Sequence, residues 1–259
     1  MTDTLLISRD GPVARVFLNR PDVRNAFNDG VIAELTAAFT GFAADDTLRA
    51  VVLGGHGKAF CAGADLSWMR AMADYTWEQN RADAQGLADM LYAIWSCPVP
   101  VVGRVHGDCY AGGVGLAAVC DILVAAEGVN FCLSEAKLGL LPATIGPYVV
   151  KALGEQASRR YFATAERFDA ARAHALGFVH EVVPADALDA KVDELVAALV
   201  ANGPAAVRAC KKLVQDVAGR PIDDALRSES ARRIADIRAS AEGKEGVQAF
   251  LNKRDPSWR

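Results

Sequence analysis

The sequence predicts an α/β body that passes into a helical C-terminal portion. Three observations carry that expectation. Apolar strand-like runs alternate with segments of helical spacing through the first half of the chain, strand signals stop at about residue 185, and no repeat, low-complexity run or composition-defined linker divides the 259 residues.

Segments 13–18 and 49–53 are compact apolar runs of strand type, and 29–43 between them places its apolar residues at helical spacing. The chain therefore opens as strand, helix, strand. After a glycine-rich stretch at 54–64, the positions Leu66, Met69, Met72, Leu87, Met90, Leu91 and Ile94 suggest one or two amphipathic helices over 66–95, ended by Pro98 and Pro100. Val101, Val102 and Val105 form a short buried strand, 111–120 reads as a helix of small residues, and 121–125 is a further strand. Segments 186–201, 204–217, 221–240 and 242–251 are rich in alanine, leucine, lysine and arginine and read as helices.

The composition, 52% apolar and 23% charged, is that of a soluble globular protein with little room for extended disorder. A net charge of -4 removes any general attraction to nucleic acid or anionic membranes, so an anionic ligand must be met by local cations. The opening residues lack the basic and apolar regions of a secretory signal and no run approaches a membrane span, so the cytoplasm is the expected location. Cysteines at 61, 97, 109, 120, 132 and 210 sit mostly in apolar company without metal-ligand spacing, which predicts buried reduced thiols and no metal.

Three stretches carry chemistry. Residues 56–66 (HGKAFCAGADL) and 105–117 (VHGDCYAGGVGLA) are both small-residue loops leading from a strand into a helix. Such loops leave backbone NH groups accessible to an oxygen that gains negative charge, although tight turns and close helix packing explain the same glycines. In the third, 131–142 (FCLSEAKLGLLP), Glu135 stands in an apolar run. Isolation of that kind raises a carboxyl pKa toward neutrality and suits it to taking and returning a proton, whereas a surface glutamate on a half-buried strand is the plainer reading. His106, beside a glycine loop, is assigned a structural role.

Together the segments 19–27 (NRPDVRNAF), 59–66 (AFCAGADL), 111–122 (AGGVGLAAVCDI) and 168–183 (FDAARAHALGFVHEVV) resemble the crotonase, or enoyl-CoA hydratase/isomerase, superfamily, from about residue 13 to 254. The resemblance implies a spiral of ββα units over 1–184 that binds acyl-CoA, and a helical trimerisation region over 185–259. It further implies a homotrimer or homohexamer, coenzyme A as part of the substrate, and no separate cofactor. It places the oxyanion hole at the NH groups of Ala64 and Gly112 with Glu135 as acid and base. Ala62, Asp65 and Leu66 would line the adenine pocket, Gly113 would border the substrate, and Arg24 and Lys253 would lie near phosphates. Many hydratases of this kind carry a second glutamate where this chain has Gly115.

A single carboxylate can still hydrate a 2-enoyl thioester by orienting water and relaying a proton, or it can shift a double bond. Segments 64–69 (ADLSWM), 111–116 and 131–150 (FCLSEAKLGLLPATIGPYVV) are similar to bacterial methylglutaconyl-CoA hydratases and related hydratases of branched glutaconyl thioesters, in which glycine at 115 belongs to the pattern. Hydration is the expected reaction, isomerisation the alternative, and acyl-CoA binding without chemistry the alternative of another class. A distal carboxylate on the acyl group calls for a cation or polar donors, with Arg70, Tyr110, Tyr148 and Lys151 as candidates.

Overall fold

The computed structural model describes residues 4–259. Met1, Thr2 and Asp3, part of the opening from which the missing secretory signal was inferred, lie outside the described residues.

In chain order the elements are β1 (Leu5–Asp10), β2 (Val13–Leu18), α1 (Asp29–Ala43), β3 (Ala50–Gly55), β4 (Ala59–Cys61), α2 (Leu66–Met72), α3 (Trp77–Trp95), β5 (Val101–Val105), β6 (Asp108–Tyr110) and α4 (Gly112–Ala118). There follow β7 (Ile122–Ala126), β8 (Asn130–Cys132), α5 (Gly146–Leu153), α6 (Glu155–Thr164), β9 (Arg167–Asp169), α7 (Ala170–Ala175) and β10 (Glu181–Val183). The chain ends in α8 (Leu188–Ala201), α9 (Pro204–Val217), α10 (Asp224–Ala239) and α11 (Ala241–Leu251).

Two sheets organise the body. The larger has the order β1-β2-β3-β5-β7-β10 and is parallel except for the β1–β2 hairpin. The smaller has the order β4-β6-β8-β9. The chain alternates between them: β3 leads to β4, β5 to β6 and β7 to β8, each pair being followed by helix, so that ββα units wind side by side. Every residue of β3 is buried, which explains why its run is continuously apolar rather than alternating.

The stretch 66–95 resolves into two helices. Thr76 stops the first path and starts the second through a capping box with Gln79, and Asp65 caps α2 by accepting from the Ser67 NH at 2.8 Å. The short strands β4, β6, β8, β9 and β10 and the helices α5, α6 and α7 were not legible beforehand, because three residues of strand carry no period. The first C-terminal helix, α8, buries Leu188, Val192 and Val196 and packs on β3, β5 and β7. By contrast α9 buries no residue, α10 only Leu226 and α11 only Ala249.

All six cysteines are unpaired thiols. Cys61, Cys97, Cys109 and Cys132 are buried, but Cys120 is only half-buried and Cys210 is exposed, which corrects the expectation of buried thiols at these two positions. Cys210 lies on α9, none of whose residues is fully buried. Among the described residues no helix is long and apolar enough to cross a membrane.

Candidate active site

A strap of backbone, residues 19–28, holds the first glycine loop. Phe27 makes a parallel bridge with Ala64: the Phe27 NH donates to the Gly63 carbonyl at 2.8 Å, and the Asp65 NH donates to the Phe27 carbonyl at 3.0 Å. In such a pairing Phe27 bonds to the residues on either side of Ala64, leaving the Ala64 NH directed away from the strap. Gly63 supports the bend with φ 88°, and a Cβ there would press on the backbone at Tyr110 and Gly112, so only glycine lets the two loops approach.

The second loop enters α4 through Ala111, whose φ of 48° is strained for a residue with a side chain. This bend presents Gly112 as the first residue of α4, with no carbonyl one turn earlier to take its NH. A side chain at Gly112 would overlap the Phe27 ring, and one at Gly113 would overlap the Cys61 carbonyl.

Between these loops, the α2–α3 pair and the segment 134–145 lies a cavity of about 370 Å³. Ala62, Ala64, Gly112 and Glu135 all line it. Phe27, Trp68, Met69, Met72, Leu87 and Ile145 make its walls largely apolar. A larger hollow, about 830 Å³, lies between Trp95, Asp121 and α9, away from the glycine loops.

Glu135 opens a 3-10 turn, Glu135–Leu138, rather than standing on a strand. Its carbonyl accepts from the Leu140 NH at 3.1 Å, which fixes the turn that aims the side chain. One carboxylate oxygen, Oε2, is buried without a hydrogen-bond partner. Burial pushes this carboxyl above its ordinary range, and its own backbone NH only partly offsets the effect. Burial without a counter-charge favours the protonated form, which suits the group both to take and to return a proton.

Gly115 lies one turn into α4 and is buried. A side chain there would run into Ile145, which is 2% exposed and shares the cavity wall with Glu135. The space that a glutamate at 115 would need is therefore filled by isoleucine. A second carboxylate does line the cavity, but from α3: Asp83 accepts from the Trp68 indole NH at 2.9 Å.

The remaining predicted residues do not line this cavity. Asp65 is 5% exposed and spends its carboxylate on the Ser67 hydroxyl, the Ser67 NH and Arg20, 2.9 Å away, and these bonds, the hydroxyl's first, hold its pKa below the ordinary value against the cost of burial. Leu66 is exposed at the start of α2, and Gly113 is buried in packing. The Arg24 side chain is exposed, while its carbonyl accepts from the Ala62 NH at 3.0 Å. Lys253 is exposed beyond α11. His106 holds the Gly57 carbonyl at 3.1 Å, and burial lowers its pKa, as suits a neutral structural imidazole.

Of the four candidates for a distal carboxylate, none lines the cavity. The Tyr110 hydroxyl donates to Asp108 at 2.7 Å, Lys151 sits 5.4 Å over the Trp95 ring beside the larger hollow, and Tyr148 also packs against Trp95. Arg70 is exposed on α2, next in sequence to Met69 of the wall. The lining contains no lysine, arginine or histidine. Phe27, Ile145 and Asp83 were missed as site residues: Phe27 closes the quoted segment 19–27 and Ile145 lies within the quoted segment 131–150, but nothing local in the sequence marks Asp83.

The pattern of the Enoyl-CoA hydratase/isomerase family matches residues 8–259. The chain is 34% identical over 248 residues to the enoyl-CoA hydratase ACTT6 of Alternaria alternata, covering 94% of this chain and 80% of that protein. It is 33% identical to a carnitinyl-CoA dehydratase of Citrobacter koseri, covering 100% of this chain and 99% of the other. A solved enoyl-CoA hydratase from Shewanella pealeana superposes with a TM-score of 0.95 at 41% identity, covering 99% of this chain and 96% of that one.

Proposed function

The chain belongs to the enoyl-CoA hydratase/isomerase family, and from that premise we propose that it hydrates a 2-enoyl-CoA thioester, with Glu135 as acid and base and the NH groups of Ala64 and Gly112 holding the thioester oxygen. The observation that carries this reading is one buried, unpartnered carboxylate oxygen in an apolar cavity that both glycine loops also line.

In this mechanism the two NH groups accept the charge that develops on the thioester oxygen as water adds to the β-carbon. Glu135 orients that water and takes its proton, then delivers a proton to the α-carbon as the enolate collapses. Reversal dehydrates the 3-hydroxyacyl thioester. One carboxylate serves both ends in sequence, since Ile145 occupies the space over Gly115.

We place the acyl group among branched glutaconyl thioesters, 3-methylglutaconyl-CoA first, on the resemblance of segments 64–69, 111–116 and 131–150. The apolar walls suit the methyl branch. Because no cation lines the cavity, the partner of the distal carboxylate must come from beyond its lining, and Arg70, exposed on the helix that supplies Met69 and Met72, is the cation assigned to it. The filled space over Gly115 also favours a second reading, a proton shuttle by Glu135 between two carbons that moves a double bond without adding water. For assembly we propose a homotrimer or homohexamer, supported by the sparse burial of α9, α10 and α11 and by exposed Ile222, Phe250 and Leu251.

Incubation of the purified protein with 3-methylglutaconyl-CoA, crotonyl-CoA and a 3-enoyl-CoA, with products identified by mass and chromatography, tests these statements. Gain of water is expected. A shifted double bond without added water would make the protein an isomerase, and binding without turnover would make it a non-catalytic acyl-CoA protein. If Arg70→Met lowers kcat/KM equally for the glutaconyl and crotonyl thioesters, the assignment of Arg70 fails.

A further inference from the structure

Asn25 is 1% exposed, sits at φ 55° and belongs to no helix or strand. Its amide makes three hydrogen bonds: Nδ2 donates to the His56 carbonyl at 2.7 Å and to the Ala59 carbonyl at 2.8 Å, and Oδ1 accepts from the Arg20 NH at 2.9 Å. Neither carbonyl belongs to the strap. They flank the turn between β3 and β4, so this one side chain pins the strap to the strand that runs into the first glycine loop. Space is cleared for it by Gly55, where a Cβ would come within 2.8 Å of Asn25 Nδ2.

Arg20 extends the clamp. Its guanidinium donates to the Ala26 carbonyl and pairs with Asp65, so the strap is tied to both ends of the segment 59–65. Two residues beyond Asn25, Phe27 bridges Ala64 and lays its ring on the bare face of Gly112. A displacement of Phe27 would move the two NH groups relative to each other, because one is held by its backbone and the other by its ring.

We propose that Asn25 is a positioning residue for the reaction: through Phe27 it sets the separation of the Ala64 and Gly112 NH groups. The proposal rests on the assignment of those groups as the oxyanion site. Asn25 itself touches neither substrate nor reacting atoms. Its contribution appears only where the oxygen gains charge, because that is when donor placement to within a fraction of an ångström matters.

The test compares Asn25→Gly, which keeps the left-handed backbone and removes the clamp, with Phe27→Leu, which keeps the clamp and removes the ring. Each variant is measured for kcat and KM on a 2-enoyl-CoA, for the carbonyl stretch of a bound thioester and for melting temperature, with Glu135→Gln as control. Loss of about 10- to 100-fold in kcat with little change in KM, and a carbonyl stretch moved toward its value in water, is expected for Asn25→Gly, with a smaller change in the same sense for Phe27→Leu. A lower melting temperature with kcat per folded enzyme and the carbonyl stretch unchanged would overturn the proposal. Should Asn25→Gly fail to fold, Asn25→Asp, which keeps the shape but loses both donations to the His56 and Ala59 carbonyls, decides by the same readouts. A bound thioester whose carbonyl stretch in the wild-type protein equals its value in water would instead remove the oxyanion reading on which the proposal rests.

Discussion

The two hollows of this molecule differ in size and, more tellingly, in whether their charges are satisfied. In the larger, about 830 Å³, Lys211 donates to Asp121 at 2.6 Å and to the Val99 carbonyl at 3.2 Å, and Asp121 also accepts from the Val101 NH at 2.8 Å. In the smaller, about 370 Å³, a buried oxygen of Glu135 has no partner. Burial raises the pKa of both carboxyls, but only for Asp121 does a cation oppose the shift. Volume alone would choose the other hollow from the one proposed above. A carboxylate kept from water and from counter-charge carries a standing cost, and the chemistry is expected where that cost is borne.

The largest effect expected from this contrast is on turnover. Glu135→Gln should lower kcat by about 100-fold or more, the range for loss of a general acid/base. In the wild type the ascending limb of kcat/KM against pH should lie above the ordinary carboxylate range, since burial raises this group. A limb at the ordinary value would remove the distinction between the two carboxyls.

Next comes the paired hollow. Lys211→Met should leave the half-buried Asp121 without its cation and lower stability by about 1 to 3 kcal/mol in denaturant titration, with kcat per folded enzyme unchanged. A comparable loss of kcat would show that the larger hollow takes part in the reaction.

An effect no larger is expected at the boundary of the smaller hollow. Gly115→Glu should cost about 1 to 3 kcal/mol by overpacking against Ile145, and adding Ile145→Ala should recover much of that loss. Additive costs in the double variant would mean that Ile145 does not hold the space.

The smallest is a gain. Because the folded-state pKa of Glu135 is raised, the native state binds its proton more tightly than the unfolded chain does. This group's contribution to stability therefore falls as pH rises from the ordinary carboxylate range through the raised value. Above that window Glu135→Gln should melt about 2 °C higher than wild type, and the difference should shrink on acidification. Equal melting temperatures at neutral pH would mean that Glu135 has a partner in solution.

The sequence by itself determined the class of fold and the chemistry-bearing segments. β2, α1, β3, β5, β7 and the helices beyond 185 were legible because each is long enough, or apolar enough, to display a period. Glu135 stood out as one carboxylate in an apolar run, but the run alone left a surface role the plainer reading, and the family resemblance supplied the acid/base assignment. The repeat of ββα units was not: β5 begins 51 residues after β3 (101 against 50), whereas β7 begins only 21 after β5 (122 against 101), so unequal helical insertions hide it. Only the tertiary structure decided that Phe27 lies on Gly112, that Ile145 fills the space over Gly115, and that Asn25 pins the strap to the carbonyls of His56 and Ala59. The physical reason is one of range. Periodicity and composition report how a residue relates to its neighbours along the chain, while a donor's placement, a filled space and an unpaired oxygen depend on atoms brought together from positions far apart in it.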